Sequence, residues 1–207
     1  MPRVSDAYRE ARRDEIGRAA LRCLERKGVR DTSIADIVEE SGLSTGAIYS
    51  HFSNKAELAR YVVGKFLYPR IDALEAAGSQ GDVVPPREVL RRMLSVFTEE
   101  GLPTSLVVQF WGEAMVDPDL HAEMLRTAGH LLSSLTAAVT PWARQRVEAG
   151  AGPVSDAGAS DTEAGFLAAG TARTIATLAQ GYVANTAVFG PRDVGAYIES
   201  AAALLAE

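Results

Sequence analysis

The sequence predicts an all-α protein, with a small helix-turn-helix head followed by a larger helical body. Apolar residues recur at helical spacing along almost the whole chain of 207 residues. Convincing period-2 alternation between hairpin turns is not found, which argues against strands. Short polar residues around Gly42 lie between two short, apolar-backed segments, a pattern typical of a helix-turn-helix. The periodicity predicts nine helices, three or four in the head and five in the body.

The first two predicted helices have clear boundaries. Helix one covers about residues 8–27, and Gly28 follows as the left-handed residue that ends it. Helix two begins near Thr32 or Ser33, both good N-caps, and ends at Gly42. The apolar face of helix one has the spacing i, i+3, i+4, i+7 and i+8 and consists of Ile16, Ala19, Ala20, Cys23 and Leu24.

Helices three and four complete the head and lead out of it. Helix three is predicted over 45–51, and helix four over 54–77. Asn54 is expected to cap helix four while Glu57 reaches back to it, as in a capping box. Pro69 predicts a kink rather than an end, because the apolar stripe continues beyond it. We therefore expect a DNA-binding domain over 1–55, helix four as connector, and a second domain over 56–207.

The body shows five further helical segments. Helix five is predicted over 86–99, and helix six over 103–116, where apolar residues on nearly all sides imply deep burial. Asp117 and Pro118 are an N-cap and first helical residue that open helix seven, and Pro141 predicts a kink in it. Residues 147–160 are rich in glycine, alanine and serine and predict a loop. A capping box at 160–163 opens helix eight, and the dipeptide at 190–191 separates it from helix nine.

Composition and charge narrow the class of protein. Without an uninterrupted apolar run of about 18 residues or a signal-peptide core, neither a membrane span nor secretion is expected. The single cysteine, Cys23, cannot form an internal disulfide, so a reducing cytoplasm is the expected location. Net charge is +1 over residues 1–55 and −7 over 56–207. Only the N-terminal part is therefore a candidate for contact with nucleic acid.

The exposed side of helix three carries short or hydroxyl side chains that permit close approach to base edges. Tyr49 can offer its hydroxyl to a phosphate, and Lys55 combines a cation with the free N–H groups of a helix start. Thr32 or Ser33, at the start of helix two, can contact a phosphate of the neighbouring DNA strand in the same way. The complete set of predicted DNA-binding residues is Thr32, Ser33, Ser44, Thr45, Gly46, Tyr49, His51 and Lys55.

The order of these residues resembles the signature of the TetR family of bacterial transcription regulators. A glycine and a threonine precede helix two, and a Gly-apolar-Ser turn precedes Thr-Gly-Ala-Ile-Tyr-x-His-Phe-x-x-Lys-x-x-Leu over residues 45–58. The resemblance covers about residues 10–60. It implies an all-helical ligand-binding body, a homodimer, and a palindromic double-stranded operator read by two heads roughly 34–36 Å apart when one DNA turn separates them.

The sequence of the body partly supports the expected ligand-binding cavity and the expected homodimer. Flexible and aromatic side chains on helices five to eight suit an adaptable apolar cavity, and polar groups such as Gln109, Glu113, Thr174 and Gln180 lie on the same helices. The predicted ligand-binding residues are Met93, Phe97, Phe110, Trp111, Met115, Met124, Trp142, Arg173 and Thr177. Helices eight and nine carry many small and apolar residues and are the predicted dimer interface.

The resemblance implies a regulator, most often a repressor released by a small, largely apolar effector. An enzyme is the first alternative, but the phosphate loop, the nucleophile elbow and the H-E-x-x-H motif are missing from the sequence. A helical metal-binding protein is another, since Asp117 and His121 are four residues apart with Glu113 one turn before. A protein-interaction module is the third. We expect neither a cofactor nor a metal.

Overall fold

The computed structural model describes residues 6–98, 102–150 and 157–205, and the regular structure in these ranges is entirely helical. The predicted all-α class is confirmed, with ten α-helices rather than nine and one short 3-10 helix, Ala202–Leu204. The α-helices are α1 (Asp6–Asp31), α2 (Ile34–Ser41), α3 (Thr45–His51), α4 (Lys55–Phe66), α5 (Tyr68–Ser79), α6 (Pro86–Thr98), α7 (Thr104–Ala114), α8 (Pro118–Gly150), α9 (Ala157–Phe189) and α10 (Val194–Ala201). Among these described helices, none is long and apolar enough to cross a membrane.

The chain divides into two compact units. Unit 1 consists of Met1–Phe66 and Leu106–Leu125, and unit 2 of Leu67–Ser105 and Arg126–Glu207. Unit 1 therefore holds α1 to α4, most of α7 and the start of α8. The domain boundary expected after residue 55 stays a prediction.

The core of unit 1 is built on the predicted apolar face of α1. Four side chains of that face are fully buried, while Leu24 is half-buried. Burial raises the pKa of the Cys23 thiol, as for an inert apolar side chain. The buried cluster consists of Ile16, Ala19, Ala20, Cys23, Ile37, Ile48, Phe52 and Leu58. Because Ile37, Ile48 and Phe52 come from α2, α3 and the α3 C-cap, the core sets the orientation of the turn between these helices.

Unit 2 has its own apolar core, formed by facing surfaces of α5, α6, α8, α9 and α10. Its central side chains are fully buried and include Leu90, Leu94, Leu135, Val139, Ala172, Ile175 and Ile198. The alanines of α9 allow close packing, and Tyr182 and Tyr197 meet edge to face with ring centroids 5.2 Å apart. The α9–α10 pair is thus partly a core element of the unit.

The extra helix results from Pro69. Predicted helix four is two helices, α4 ending at Phe66 and α5 beginning at Tyr68, so the prediction of one kinked helix is wrong. Proline cannot donate to the carbonyl four residues before it, and it disfavours helical backbone at the preceding residue. The interruption is one residue, Leu67, and the helix resumes with the Ile71 N–H donating to the Leu67 carbonyl at 3.3 Å.

Residues 147–160 are more helical than their composition predicts. Helix α8 continues to Gly150 and α9 begins at Ala157, so the predicted loop is wrong at both ends, while 151–156 lie outside the described residues. Ser160 is inside α9, and the capping box predicted there does not form. Arginine, glutamate and alanine favour helix strongly enough to extend both elements into the glycine-containing segment.

Two further boundaries differ from their predictions. Helix α10 begins at Val194, not at Pro191, because Asp193 provides the cap, with its Oδ1 accepting from the Ala196 N–H at 2.6 Å. The deep burial expected of helix six is wrong along most of its length, since only Leu106 and Ala114 of α7 are buried, and Met115 after it is 81% exposed. Helix α7 ends at Ala114, so Met115 lies in the turn before α8 rather than on a packed helix face.

Candidate nucleic-acid interface

The turn between α2 and α3 is defined by local caps. Ser33 is the N-cap of α2 in a capping box with Asp36, as predicted for one of the two candidate caps. Gly42 has φ 67° and ψ 11°, a left-handed conformation, and its N–H donates to the Val38 carbonyl at 3.0 Å. The Ser44 hydroxyl then accepts from the Ala47 N–H at 3.2 Å and starts α3. These contacts hold two short helices in a helix-turn-helix.

The outer face of α3 has the composition that was predicted. Ile48 is fully buried beneath the helix, whereas Tyr49 is 53% exposed. The other exposed residues of this face are short: Ser44, Thr45, Gly46 and Ser50. Only the Ser50 hydroxyl of this group donates back to its own helix, to the Ala47 carbonyl at 2.7 Å. The face can therefore approach another surface closely and offer hydroxyl groups to it.

Arg13 of α1 fixes the end of α3. Its Nη1 donates to the His51 carbonyl at 2.8 Å, and its guanidinium lies over the rings of Phe52 and Tyr61, 4.4 and 5.0 Å from their centroids. Its Nη2 is 3.7 Å from a Glu57 oxygen. Both the carbonyl at a helix end and an aromatic face are favourable partners for a cation. Arg13 thereby connects α1 to the last residue of α3 and to α4.

The cap of α4 differs from the predicted capping box by one residue. Asn54 Oδ1 accepts from the Glu57 N–H at 2.8 Å, as expected. The Glu57 carboxylate reaches to Ser53 instead, accepting from its N–H at 2.8 Å and from its hydroxyl at 2.6 Å. These hydrogen bonds lower the pKa of Glu57. The carboxylate thus binds both the N–H and the hydroxyl of Ser53.

His51 lies in a positively charged environment. Burial lowers its pKa, and the charges of Arg13, Arg9 and Arg12 lower it further. The imidazole is therefore neutral at pH 7 and can donate one hydrogen bond. The backbone of Lys55 begins α4, as predicted, but its side chain lies outside the described residues.

The two candidate residues before α2 differ. Ser33 is exposed, although its hydroxyl already donates to Asp36 Oδ2 at 2.8 Å. Thr32 is only 6% exposed and its hydroxyl donates to the Gly28 carbonyl at 2.6 Å. The expectation of an accessible Thr32 is therefore wrong. This hydroxyl closes the α1–α2 turn, so Thr32 is a structural residue rather than a surface donor.

Ion pairs fasten α2 to α1 on the side of the head away from the Arg13 contact. Lys27 Nζ is 2.6 Å from Asp36 Oδ1, and Arg22 Nε is 2.6 Å from Glu40 Oε1. Arg26 also donates to Glu40. The cations and hydrogen bonds lower the pKa of both carboxyl groups. Because these cations are paired with carboxylates, they belong to the scaffold and leave the α3 face to other groups.

Gln109 of α7 reaches the end of α1 within unit 1. At Gly28 the backbone has φ 83° and ψ 172°, so the positive φ expected there is present, but with extended rather than left-handed ψ. Gln109 Oε1 accepts from the Val29 N–H at 2.9 Å. A Cβ on Gly28 would lie 2.5 Å from the same oxygen. Glycine is thus required both for the backbone and for this contact.

Arg13 and Arg9 were missed as functional candidates, whereas Gln109 was named among the polar groups that suit a ligand and not for its contact with the end of α1. Arg9, Arg12, Arg13 and Ile16 have the spacing i, i+3, i+4 and i+7, so the arginines continue the buried stripe of α1 in the N-terminal direction. That spacing is the signal that could have identified them. Gln109 has a weaker signal, a polar side chain on a mostly apolar helix.

The predicted ligand-binding residues fall into both units. In unit 1, Phe110 and Met124 pack on Ala114 and Leu120, Trp111 is half-buried, and Met115 is exposed. In unit 2, Met93, Phe97 and Trp142 belong to the apolar core. Arg173 and Thr177 are exposed on α9, where the Thr177 hydroxyl donates to the Arg173 carbonyl at 2.9 Å. Ligand binding by these residues stays a prediction.

The residues considered for a metal have other roles. Asp117 Oδ1 accepts from the N–H groups of Asp119 and Leu120 at 2.9 and 3.0 Å and caps α8, as its predicted N-cap role requires. His121 Nδ1 is 3.2 Å from the Ala114 carbonyl. Across residues 6–98, 102–150 and 157–205, no three His, Cys, Asp or Glu side chains are grouped to hold a metal ion.

Comparison with known proteins agrees with this geometry. The sequence model of the family described as "Bacterial regulatory proteins, tetR family" matches residues 16–62. Over 88 residues the chain is 41% identical to the HTH-type transcriptional regulator TtgR of Pseudomonas putida, and 40% identical to the probable HTH-type transcriptional regulator ArpR of the same species. Each alignment covers 42% of this chain and 41% of the relative, so the chain matches about two fifths of their length.

Solved structures extend the similarity to the whole fold. A putative TetR-family regulator from Mesorhizobium loti superposes with a TM-score of 0.68 at 19% identity, covering 96% of this chain and 95% of that one. A TetR regulator from Haloarcula marismortui gives 0.66 at 16% identity, covering 95% of each. The curated relatives are named as regulators and not as enzymes, which disfavours the enzyme alternative. The head of this chain, residues 16–62, therefore matches the TetR family of bacterial regulatory proteins in sequence, and the whole chain has the fold of solved TetR-family regulators.

Proposed function

We propose that this protein is a transcriptional regulator that binds a palindromic operator as a homodimer and is released from it by a small, largely apolar effector. The observation that carries the proposal is the outer face of α3, with its short exposed side chains backed by the fully buried Ile48. A helix with such a face can enter the major groove, where base edges differ between all four base pairs.

In this proposal, one set of residues contacts the base edges and another set contacts the phosphates. Thr45 and Gly46 occupy the first turn of α3, the part of a recognition helix that reaches base edges. Tyr49 directs an exposed hydroxyl toward the DNA backbone. Ser33 and Lys55 lie at the starts of α2 and α4, where free N–H groups favour binding of a phosphate. His51, neutral at pH 7, adds one donor.

The proposed dimer forms through α9 and α10, which correspond to predicted helices eight and nine. Large apolar side chains remain exposed on and after these helices: Phe166, Val188, Phe189 and Leu204. Phe166 and Phe189 are 75% and 70% exposed, an unfavourable state for an isolated chain. A two-fold interface would bury these side chains on both protomers. Two heads on one dimer would match the two half-sites of a palindrome.

The proposed effector binds through the apolar residues predicted above, and Arg173 or Thr177 orients it. Its chemistry follows from their side chains: methionine and aromatic groups suit an apolar molecule. The effector acts by binding one spacing of the two heads more tightly than the other. A coupling of roughly 1–3 kcal/mol, up to about 150-fold in DNA affinity, is typical of such regulators.

Selection of bound fragments from random duplex DNA tests the proposal first. We expect an enriched palindrome whose affinity falls steeply between 50 and 200 mM salt, by roughly 10³ or more if six phosphates are contacted. Absence of any DNA binding by the folded protein at low salt contradicts the proposal and favours a protein-interaction module. Sedimentation of the wild-type protein and of Phe189→Glu tests the dimer, with Val83→Glu as the control because Val83 is also exposed, at 47%.

A further inference from the structure

The first turns of α1 form a basic surface beside the recognition helix. Arg9 and Arg12 lie on the same side of α1 as Arg13 and Ile16, as the spacing i, i+3, i+4 and i+7 requires. Ile16 is fully buried in the head core. The arginines are therefore carried past the edge of that core, toward the C-terminal end of α3, where Arg13 already holds the His51 carbonyl.

The acidic side chains near this basic surface pair with some of its groups and not with others. Glu10 and Asp14 face α4, because both accept from the Tyr61 hydroxyl. Glu15 is paired with Arg12, whose Nε also donates to the Tyr8 hydroxyl at 3.1 Å. Arg9 is exposed, and among the described residues it has neither an ion pair nor a hydrogen bond. Its charge still reaches His51, whose pKa it helps to lower.

We propose that Arg9, supported by Arg12, contacts a backbone phosphate of double-stranded DNA at the outer edge of each half-site. This inference rests on the proposed function, and it adds α1 to the surface formed by α2, α3 and the start of α4. A guanidinium matches phosphate geometry and keeps its charge at any physiological pH.

The test compares Arg9→Gln with Arg18→Gln in the full-length protein, on the operator selected by the wild type. Arg18 is on the same helix, exposed, and nine residues away, which places it on the opposite face. Both variants lose the same charge, so the comparison separates a contact from a change in net charge. Arg9→Lys is the conservative variant, and thermal unfolding followed by circular dichroism verifies that each variant is folded.

Counterion release sets the expected size of the effect. One phosphate contact contributes about 0.9 to the salt slope, which corresponds to about fivefold in affinity at 0.15 M salt relative to 1 M. A dimer loses two contacts in Arg9→Gln, so we expect roughly a thirtyfold loss and a slope reduced by about 2. Arg9→Lys should stay within about threefold of wild type, and Arg18→Gln should change little.

The outcomes separate a failure of the Arg9 contact from a failure of the proposed DNA-binding function. If the wild type binds its operator with a steep salt slope while Arg9→Gln keeps both affinity and slope, the α1 contact is wrong and the regulator remains. The same conclusion follows if Arg9→Gln and Arg18→Gln lose affinity equally. If the wild type binds no DNA at all, both proposals are overturned.

Discussion

The Cζ atom of Arg13 lies 4.4 Å from the centroid of the Phe52 ring, so a charged residue of α1 covers the C-cap residue of α3. Phe52 is fully buried and also meets Tyr61 edge to face, at 5.3 Å between centroids. Helix α3 is thus fixed at its C-terminal end by one cation and two aromatic rings.

Replacement of Arg13 should destabilise the head. Arg13→Gln removes the cation over two rings and the charge-assisted hydrogen bond to the His51 carbonyl, and we expect a loss of about 2 kcal/mol in unfolding free energy. Arg13→Lys should recover part of it, since it keeps the charge but not the planar donor. Urea unfolding monitors the change. Equal stability of the wild type and Arg13→Gln would contradict the fastening role.

Gly28 and Gln109 should behave as a coupled pair. Gly28→Ala introduces a Cβ 2.5 Å from Gln109 Oε1 and places alanine at φ 83°, so it should cost about 2–3 kcal/mol. Gln109→Ala removes the hydrogen bond from the Val29 N–H to Oε1, a loss of about 1 kcal/mol. In the Gln109→Ala background the clash is absent, so Gly28→Ala should lower the free energy of unfolding only by the backbone strain.

The double-mutant cycle measures this coupling by urea unfolding. We expect the double variant to be more stable than the sum of the two single losses predicts, by about 1 kcal/mol. Additive losses would mean that the Gln109 side chain moves away without cost and that the contact contributes nothing.

Acid should weaken the head through its paired carboxylates. Asp14, Asp36, Glu40 and Glu57 all have pKa values lowered in the fold, by hydrogen bonds first: Asp14 from Tyr61, Asp36 from Lys27, Glu40 from Arg22, and Glu57 from Ser53. A carboxyl group with a lowered pKa stabilises the fold above its unfolded value, here 3.8 for aspartate and 4.5 for glutamate. That stabilisation is lost as the pH falls through the folded values.

Asp36→Asn is the variant for this pH dependence. It removes the ion pair to Lys27 and weakens the cap on Ser33, so unfolding free energy should fall at pH 7. The difference from wild type should shrink as the pH falls below 3.8, because the unfolded wild type then binds a proton that the folded Asp36 carboxylate, with its lowered pKa, does not bind. Unfolding free energies measured at several pH values between 2 and 7 give the curve, and a constant difference across that range contradicts the assignment.

Local features of this fold could be predicted from the sequence because they depend on a few adjacent residues. Ser33 and Asp117 cap helices as expected, and Gly28 and Gly42 have positive φ. The buried face of α1 and the outer face of α3 follow from helical periodicity.

Features that depend on distant residues could not be predicted in the same way. Neither the position of Arg13 over Phe52 nor that of Gln109 on Val29 has a local signature, because each joins elements far apart in sequence. The break at Leu67 depends on whether Pro69 kinks or interrupts a helix, which tertiary packing decides. The predicted effector residues were chosen by type alone, and residue type does not separate a cavity wall from a filled core.

Thr45 and Tyr49 should affect operator binding in different ways. Thr45 is in the first turn of α3, where a side chain reaches base edges, so Thr45→Ala should relax the choice of sequence at one position by about 1–3 kcal/mol. Tyr49→Phe removes only a hydroxyl from a half-exposed ring, and affinity for all sequences should fall by a similar factor. Thr98→Ala, exposed at the end of α6, is the control that leaves the head unchanged.

Affinities for the selected operator and for single-base variants of it separate the two roles. Thr45→Ala should compress the difference between the operator and one set of symmetric variants, whereas Tyr49→Phe should leave every ratio unchanged. If Tyr49→Phe alters the ratios, the hydroxyl reads a base and α3 is rotated in the groove relative to this assignment. If neither variant differs from Thr98→Ala, the α3 face does not contact DNA, and the head would have to bind through α1, α2 and α4.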